Sequence, residues 1–173
     1  QSFALLLGLL GFAGAIAVDY RRLERWAPFL YVGSLGLLVA TLVVFGASFW
    51  LANSSMYDAY WSAAPPLIAL YWASAPSGSQ ADPARQALVL ALVFAWGIRL
   101  TWNWARGWPG LHHEDWRYRQ LRENEIAPYW LVSLTGIHYF PTLQVFLACL
   151  PLYAALAIGS TPLGPLDAVA ALI

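Results

Sequence analysis

Residues 86–104, QALVLALVFAWGIRLTWNW, decide the fold. The run is apolar almost throughout, and as a helix it covers about 28 Å, close to the roughly 30 Å of a bilayer core. Asp82 and Pro83 stand ahead of it as an N-cap and a first helical proline. It leaves through Arg99, Asn103 and Arg106 into the most charged part of the chain. Such a segment predicts a transmembrane helix with a polar end.

Working outward, the same pattern recurs. Phe3 to Val18 reads as a first span, Asp19 to Arg25 as a charged connector, and Pro28 to Leu51 as a second span. Asn53, Ser54 and Ser55 break that run. Ala59 to Ala75 is apolar but carries Pro65-Pro66, which removes two backbone donors and predicts a kink or break. Pro76 to Pro83 is a turn. Tyr129 to Gly159 is too long for one untilted crossing, and Pro141 and Pro151 predict an interfacial or kinked lead-in followed by a span. Thr161 to Pro165 turns the chain into a last apolar run. The expected fold is all-α: a single transmembrane domain over 1–173, a polytopic helix bundle of about five spans plus a truncated sixth. Gln1 is not an initiator Met and Ile173 falls inside an apolar run, so an N-terminal fragment is expected. Arg-rich segments favour the cytoplasm. Asp19–Arg25 and the polar loop at about 105–128 share a side only if the Pro-Pro segment does not cross.

Composition agrees. The chain is 60% hydrophobic and 10% charged, against about 25% charged residues in soluble domains. A formal net charge of zero offers no basic field, which excludes nucleic acid as a partner. The single Cys149 can form no intramolecular disulfide and reads as a buried, inert thiol.

Half of the charged residues lie between Arg99 and Glu125. Arg99, Asn103 and Arg106 recur at i, i+4, i+7 and share one helical face. Two guanidiniums with an amide between them suit a phosphate or carboxylate; the competing reading is snorkelling to headgroups beside Trp96 and Trp102. His112-His113-Glu114-Asp115 lacks metal-ligand spacing, so no metal is expected. Pairing of Glu114 or Asp115 with Arg117, Arg119 or Arg106 would instead fold the segment into a polar cap. Asp58, with Tyr57 beside it, opens the Pro-Pro segment, where a carboxylate at a span's edge is by default an N-cap or a solvated loop residue. His138 and Gln144 are intramembrane polar candidates, either functional or bonded between helices.

Trp96-Gly97-Ile98-Arg99-Leu100, then Arg106, then Glu114-Asp115-x-Arg117-Tyr118 resembles the W-G-x-R-L…R…E-D-x-R-Y pattern of an uncharacterised bacterial membrane family related to steroid 5-alpha-reductases. Asp58-Ala59-Tyr60-Trp61 resembles its D-x-x-W, and Gln144 with Leu150-Pro151 its Q…L-P. The resemblance implies a bundle of six or seven helices in the bacterial inner membrane that binds NADPH in a cytosolic-side polar cavity. It implies hydride transfer to the double bond of a lipid-soluble, steroid- or isoprenoid-like enone. Arg99, Asn103, Arg106 and Arg117 would then contact phosphate or ribose. Glu114, Asp115 and Tyr118 would hold the cofactor loop, and Asp58 or Tyr57 would face the substrate carbonyl. The reductases' R-H-P-N-Y-type stretch lies beyond this chain. Two alternatives stand beside this reading: an isoprenylcysteine methyltransferase-like enzyme, and a non-catalytic scaffold whose arginines bind membrane lipids. Oligomeric state is not legible.

Overall fold

The computed structural model describes residues 20–75, 81–123 and 127–172, with side chains from residue 27 onward. The predicted first span lies outside them. Contacts divide the chain into residues 1–35 and 36–173, and the packing described below belongs to the second unit. Among the described residues all regular structure is helical: α1 (Tyr20–Trp50), α2 (Met56–Ala73), α3 (Pro83–Gly107), α4 (Trp116–Glu123), α5 (Tyr129–Ile158) and α6 (Pro165–Leu172).

Among the described residues, three helices are long and apolar enough to cross a membrane: Ala27–Trp50 within α1, then α3 and α5. Where the sequence predicts five spans and part of a sixth, α2 is kept from this set by Asp58, its hydroxyl-bearing residues and two prolines, and α6 has only eight residues. The expected Asp19–Arg25 connector is helical from Tyr20 onward and continues into α1.

The Pro-Pro segment does not break. α2 runs unbroken through Pro65 and Pro66, both buried. Its partner is α3, packed antiparallel along one seam. At one end Pro66 meets Gly97, and a Cβ added to Gly97 would stand 2.5 Å from Pro66 Cγ. One turn on, Ser62 and Thr101 hydroxyls bond at 2.9 Å. Trp61 and Trp96 close the side, their ring centroids 6.1 Å apart. A small residue that lets two backbones approach is the usual device where lipid offers no hydrophobic drive between helices. Gly97, the second residue of the W-G-x-R-L motif, is thus a packing residue.

α5 is one continuous helical run with two wide turns. It follows i→i+5 geometry at Ser133–Tyr139 and again at Ala154–Ile158, next to Pro141 and Pro151 respectively. The freed backbone groups find side chains. His138 Nδ1–H donates to the Ser133 carbonyl at 2.8 Å, which leaves Nε2 to accept from the Ser48 hydroxyl of α1 at 3.2 Å. Gln86 of α3 donates to the Leu156 carbonyl at 2.6 Å. His138 therefore makes the interhelical bond that was one of its two expected roles. Tyr57 and Tyr60 of α2 join Thr41 of α1 and Thr142 of α5 in a buried hydroxyl network, with Tyr57 Oη 2.9 Å from Thr142 Oγ1.

At the far end Asp82 caps α3, accepting from the Arg85 backbone N–H at 2.8 Å, as predicted. Arg85 itself grips Asp167 of α6 with two bonds of 2.9 and 2.8 Å and donates to Thr161 and Pro162. Gly164 N–H also donates to Asp167, and these bonds hold its carboxyl down at about 2.

Two outcomes follow from this packing. Gly97→Ala should drive α2 from α3 and cost about 1–3 kcal/mol, the usual penalty of overpacking, read as a lower unfolding temperature in detergent. Tyr153, buried against Trp72, has a hydroxyl with no hydrogen-bond partner among the described residues. Tyr153→Phe should leave stability unchanged or raise it by about 1 kcal/mol, since an unpaired buried hydroxyl only costs desolvation; a marked loss would reveal a partner.

Candidate functional site

The site grows from the turn that ends α1. Asn53 N–H donates to Ser48 O at 2.9 Å and Ala52 N–H to Phe49 O at 3.2 Å, a helix stop that puts Ala52 at φ 49°. A residue with a Cβ pays about 1 kcal/mol there, where glycine is the usual occupant. The turn aims three polar residues at the loop after α3. Fully buried Asn53 donates to the carbonyls of Leu111 (3.0 Å) and His113 (2.9 Å). Ser54 N–H donates to Glu114 Oε1 at 2.8 Å, and Ser55 Oγ accepts from Asp115 N–H at 2.8 Å. Arg122 of α4 completes the brace: it bonds Glu114 and the Ala52 carbonyl and lies 4.2 Å over the Tyr129 ring. Tyr129 in turn bonds Ser54 at 2.7 Å.

This brace brings two separate sequence motifs together. Tyr118 Oη donates to Asp58 Oδ1 at 2.7 Å, and Arg117 lies 3.5 Å from Asp58 Oδ2. Arg117 is committed mainly to Asp115, with bonds of 2.9 and 3.1 Å. Burial pushes the Asp58 carboxyl above its usual range, with Tyr118 and Arg117 pulling the other way. Burial, and then the Asp58 charge, raise the Tyr118 phenol. Asp115 goes down, held by Arg117. Asp58 and Asp115 face a polar pocket of about 180 Å³ walled by Ser55, His113, Trp104 and Trp108. The two indoles meet edge to face, 4.0 Å between centroids.

Of the predicted residues, Asp58, Asp115, Arg117 and Tyr118 converge, and Glu114 braces the loop beneath them. Glu114 pairs with Arg122, while the expected partner Arg119 makes no ion pair among the described residues. Tyr57 is buried with its hydroxyl on Thr142 and does not line the pocket. Arg99, Asn103 and Arg106 share one exposed face of α3, apart from this cluster. Asn53, Ser54, Ser55 and the two tryptophans are site residues that the spacing did not single out. Asn-Ser-Ser between two apolar runs signals a turn, but its partners sixty residues away leave no local trace.

The family described as "Protein of unknown function (DUF1295)" matches residues 44–173, and the chain belongs to it. An uncharacterized protein of Schizosaccharomyces pombe is 31% identical over 137 residues, which covers 77% of this chain and 39% of that protein. This chain therefore spans well under half of that relative's length. No solved structure matches. The match runs from the second half of α1 through α6 and so contains the whole brace and pocket.

Acid titration should separate the two aspartates. Asp115, lowered in the folded state, contributes stability above its unfolded value of about 4 that is lost as pH falls through its lower folded value. Asp58, raised, contributes stability that is full below about 4 and is lost as pH rises through its folded value. Unfolding of Asp115→Asn measured from pH 3 to 7 should fall below wild type mainly at the upper end. Asp58→Asn should gain on wild type over the same rise. Parallel profiles would contradict both shifts.

Proposed function

We propose that this chain carries part of a membrane-embedded, NADPH-dependent reductase of a lipid-soluble enone. The supporting observation is the Asp58–Tyr118 pair at the polar pocket. Tyr118 donates to one carboxyl oxygen, and burial favours the protonated form of Asp58 against the pull of Tyr118, Arg117 and Trp61. A protonated carboxyl can donate to a carbonyl oxygen and stabilise the negative charge that develops there during reduction. Arg117 opposes this, but its side chain is 54% exposed and two bonds tie it to Asp115. Its grip on the Asp58 charge is therefore weak.

NADPH, when bound, supplies the hydride. The donor set fits its phosphates: Arg99, Asn103 and Arg106 stand on one exposed face and pair with no carboxylate among the described residues. Glu114, Asp115 and Arg117 are engaged with one another's loop and would keep the pocket's rim in place. Tyr57 serves the core under Asp58. The same exposed arginines beside Trp96 and Trp102 also suit lipid headgroups, which is the observation favouring the non-catalytic scaffold.

The full-length protein decides between these. NADPH fluorescence should report binding, weakened about tenfold or more by Arg99→Ala and by Arg106→Ala, as for lost charged hydrogen bonds. Asp58→Asn should keep binding but slow NADPH oxidation by 2-cyclohexenone. Undiminished binding in both arginine variants would return that face to the lipids. Binding of S-adenosylmethionine instead would point to the methyltransferase-like reading, and binding of neither would end both enzyme readings.

A further inference from the structure

A pocket of about 180 Å³ is too small for a whole lipid-soluble molecule, since small-molecule sites usually run to about 300–1,000 Å³. Whatever puts its oxygen against Asp58 must have its body elsewhere. The same α2–α3 seam offers the place. Beyond the Ser62–Thr101 bond lies an open groove of about 360 Å³, apolar throughout, lined by Pro66 and Leu67 of α2 and by Phe94, Ile98, Trp102 and Ala105 of α3. Along α3 the two linings stand on neighbouring faces: Trp104, Gly107 and Trp108 wall the pocket, and Thr101 and Ala105 the groove. Along α2, Asp58 of the pocket and Ala63 of the groove are five residues, about 7.5 Å, apart. Ala105 lines the groove with a single side-chain carbon, next in sequence to Trp104 of the pocket.

We propose that the two cavities are one amphiphile site, in which the pocket takes a small oxygen-bearing head and the groove takes the apolar chain attached to it. The head is the enone of the proposed reaction, so the inference rests on that reading for the head and on the groove's geometry for the chain. The substrate class this defines is a slender, single-chain lipid that enters sideways from the bilayer. The groove adds little affinity, because a chain is as well solvated by lipid as by leucine. It selects by shape and holds the head in register with Asp58.

The test uses the full-length protein in lipid nanodiscs with a straight-chain C16 enone carrying a diazirine at the end of its chain. After irradiation, peptide mass spectrometry should place the label on Leu67, Phe94 or Ile98. Asp58→Leu should lower that label about tenfold, as expected for loss of a hydrogen bond to the head. Ala105→Phe, at an exposed position where the fold should persist, should lower it similarly by filling the end of the groove beside the pocket. Unfolding temperatures of both variants show whether the fold is kept. A groove label equal in wild type and both variants marks a bulk acyl chain and overturns the proposal. So does a groove found cross-linked to a second copy of the chain. NADPH oxidation by 2-cyclohexenone without any groove label overturns the groove and leaves the reductase standing. An Asp58-dependent groove label without NADPH oxidation supports the amphiphile site and ends the reductase reading.

Discussion

A proline ring seated against a glycine sets the distance between α2 and α3, and the candidate site hangs on that distance. Pro66 can lie this close to α3 only because Gly97 has no side chain. The approach brings Ser62 within bonding reach of Thr101 and sets Asp58 opposite Trp104. The polar pocket and the apolar groove are two consequences of one seam. Widening it by the size of a methyl group would disturb both.

Above the seam, the brace works by a different physics. Its bonds run mostly between a turn at the end of α1 and the backbone or carboxylates of the loop after α3, so each element satisfies groups the other leaves open. Buried polar groups cost dearly when unpaired, which makes the arrangement specific as well as stabilising. The surface ion pairs around it matter less individually. Arg117–Asp115 is largely exposed, whereas Glu114, whose side chain is 9% exposed, is held by a backbone amide as well as by Arg122. Tyr118 reaches Asp58 because the brace fixes where α4 starts.

Within the apolar layer the dominant constraint is that no backbone group can turn to water. The wide turns of α5 and the prolines of α2 and α5 all free carbonyls or remove donors. Side chains near the two wide turns answer the first: His138 bonds Ser133, and Gln86 bonds Leu156. His138, Gln86 and the hydroxyls of Thr41, Tyr57, Tyr60 and Thr142 are therefore understood as parts of the scaffold. An intramembrane polar residue invites a functional reading, but its partners decide the matter.

By itself the sequence determined the class of fold, because hydropathy, the length of an apolar run and the N-cap at Asp82 act locally. It also singled out Asp58 and Asp115, which line the pocket, and Arg117 and Tyr118, which bond to them, through their motif-like spacing in an apolar chain. What it could not convey is which of them touch. Asp58 and Tyr118 are sixty residues apart, and only the packing of α2 on α3, with the loop brace above, closes that interval. The same packing kept α2 whole where two prolines argue locally for a break, since a ring that is costly in an isolated helix fits against Gly97. It separated Arg99, Asn103 and Arg106 from the acidic half of their own segment, because a helix face continues in a straight line while the loop after Gly107 folds back. Local chemistry chose the residues. Tertiary contact, which depends on close approach between distant segments, chose their partners.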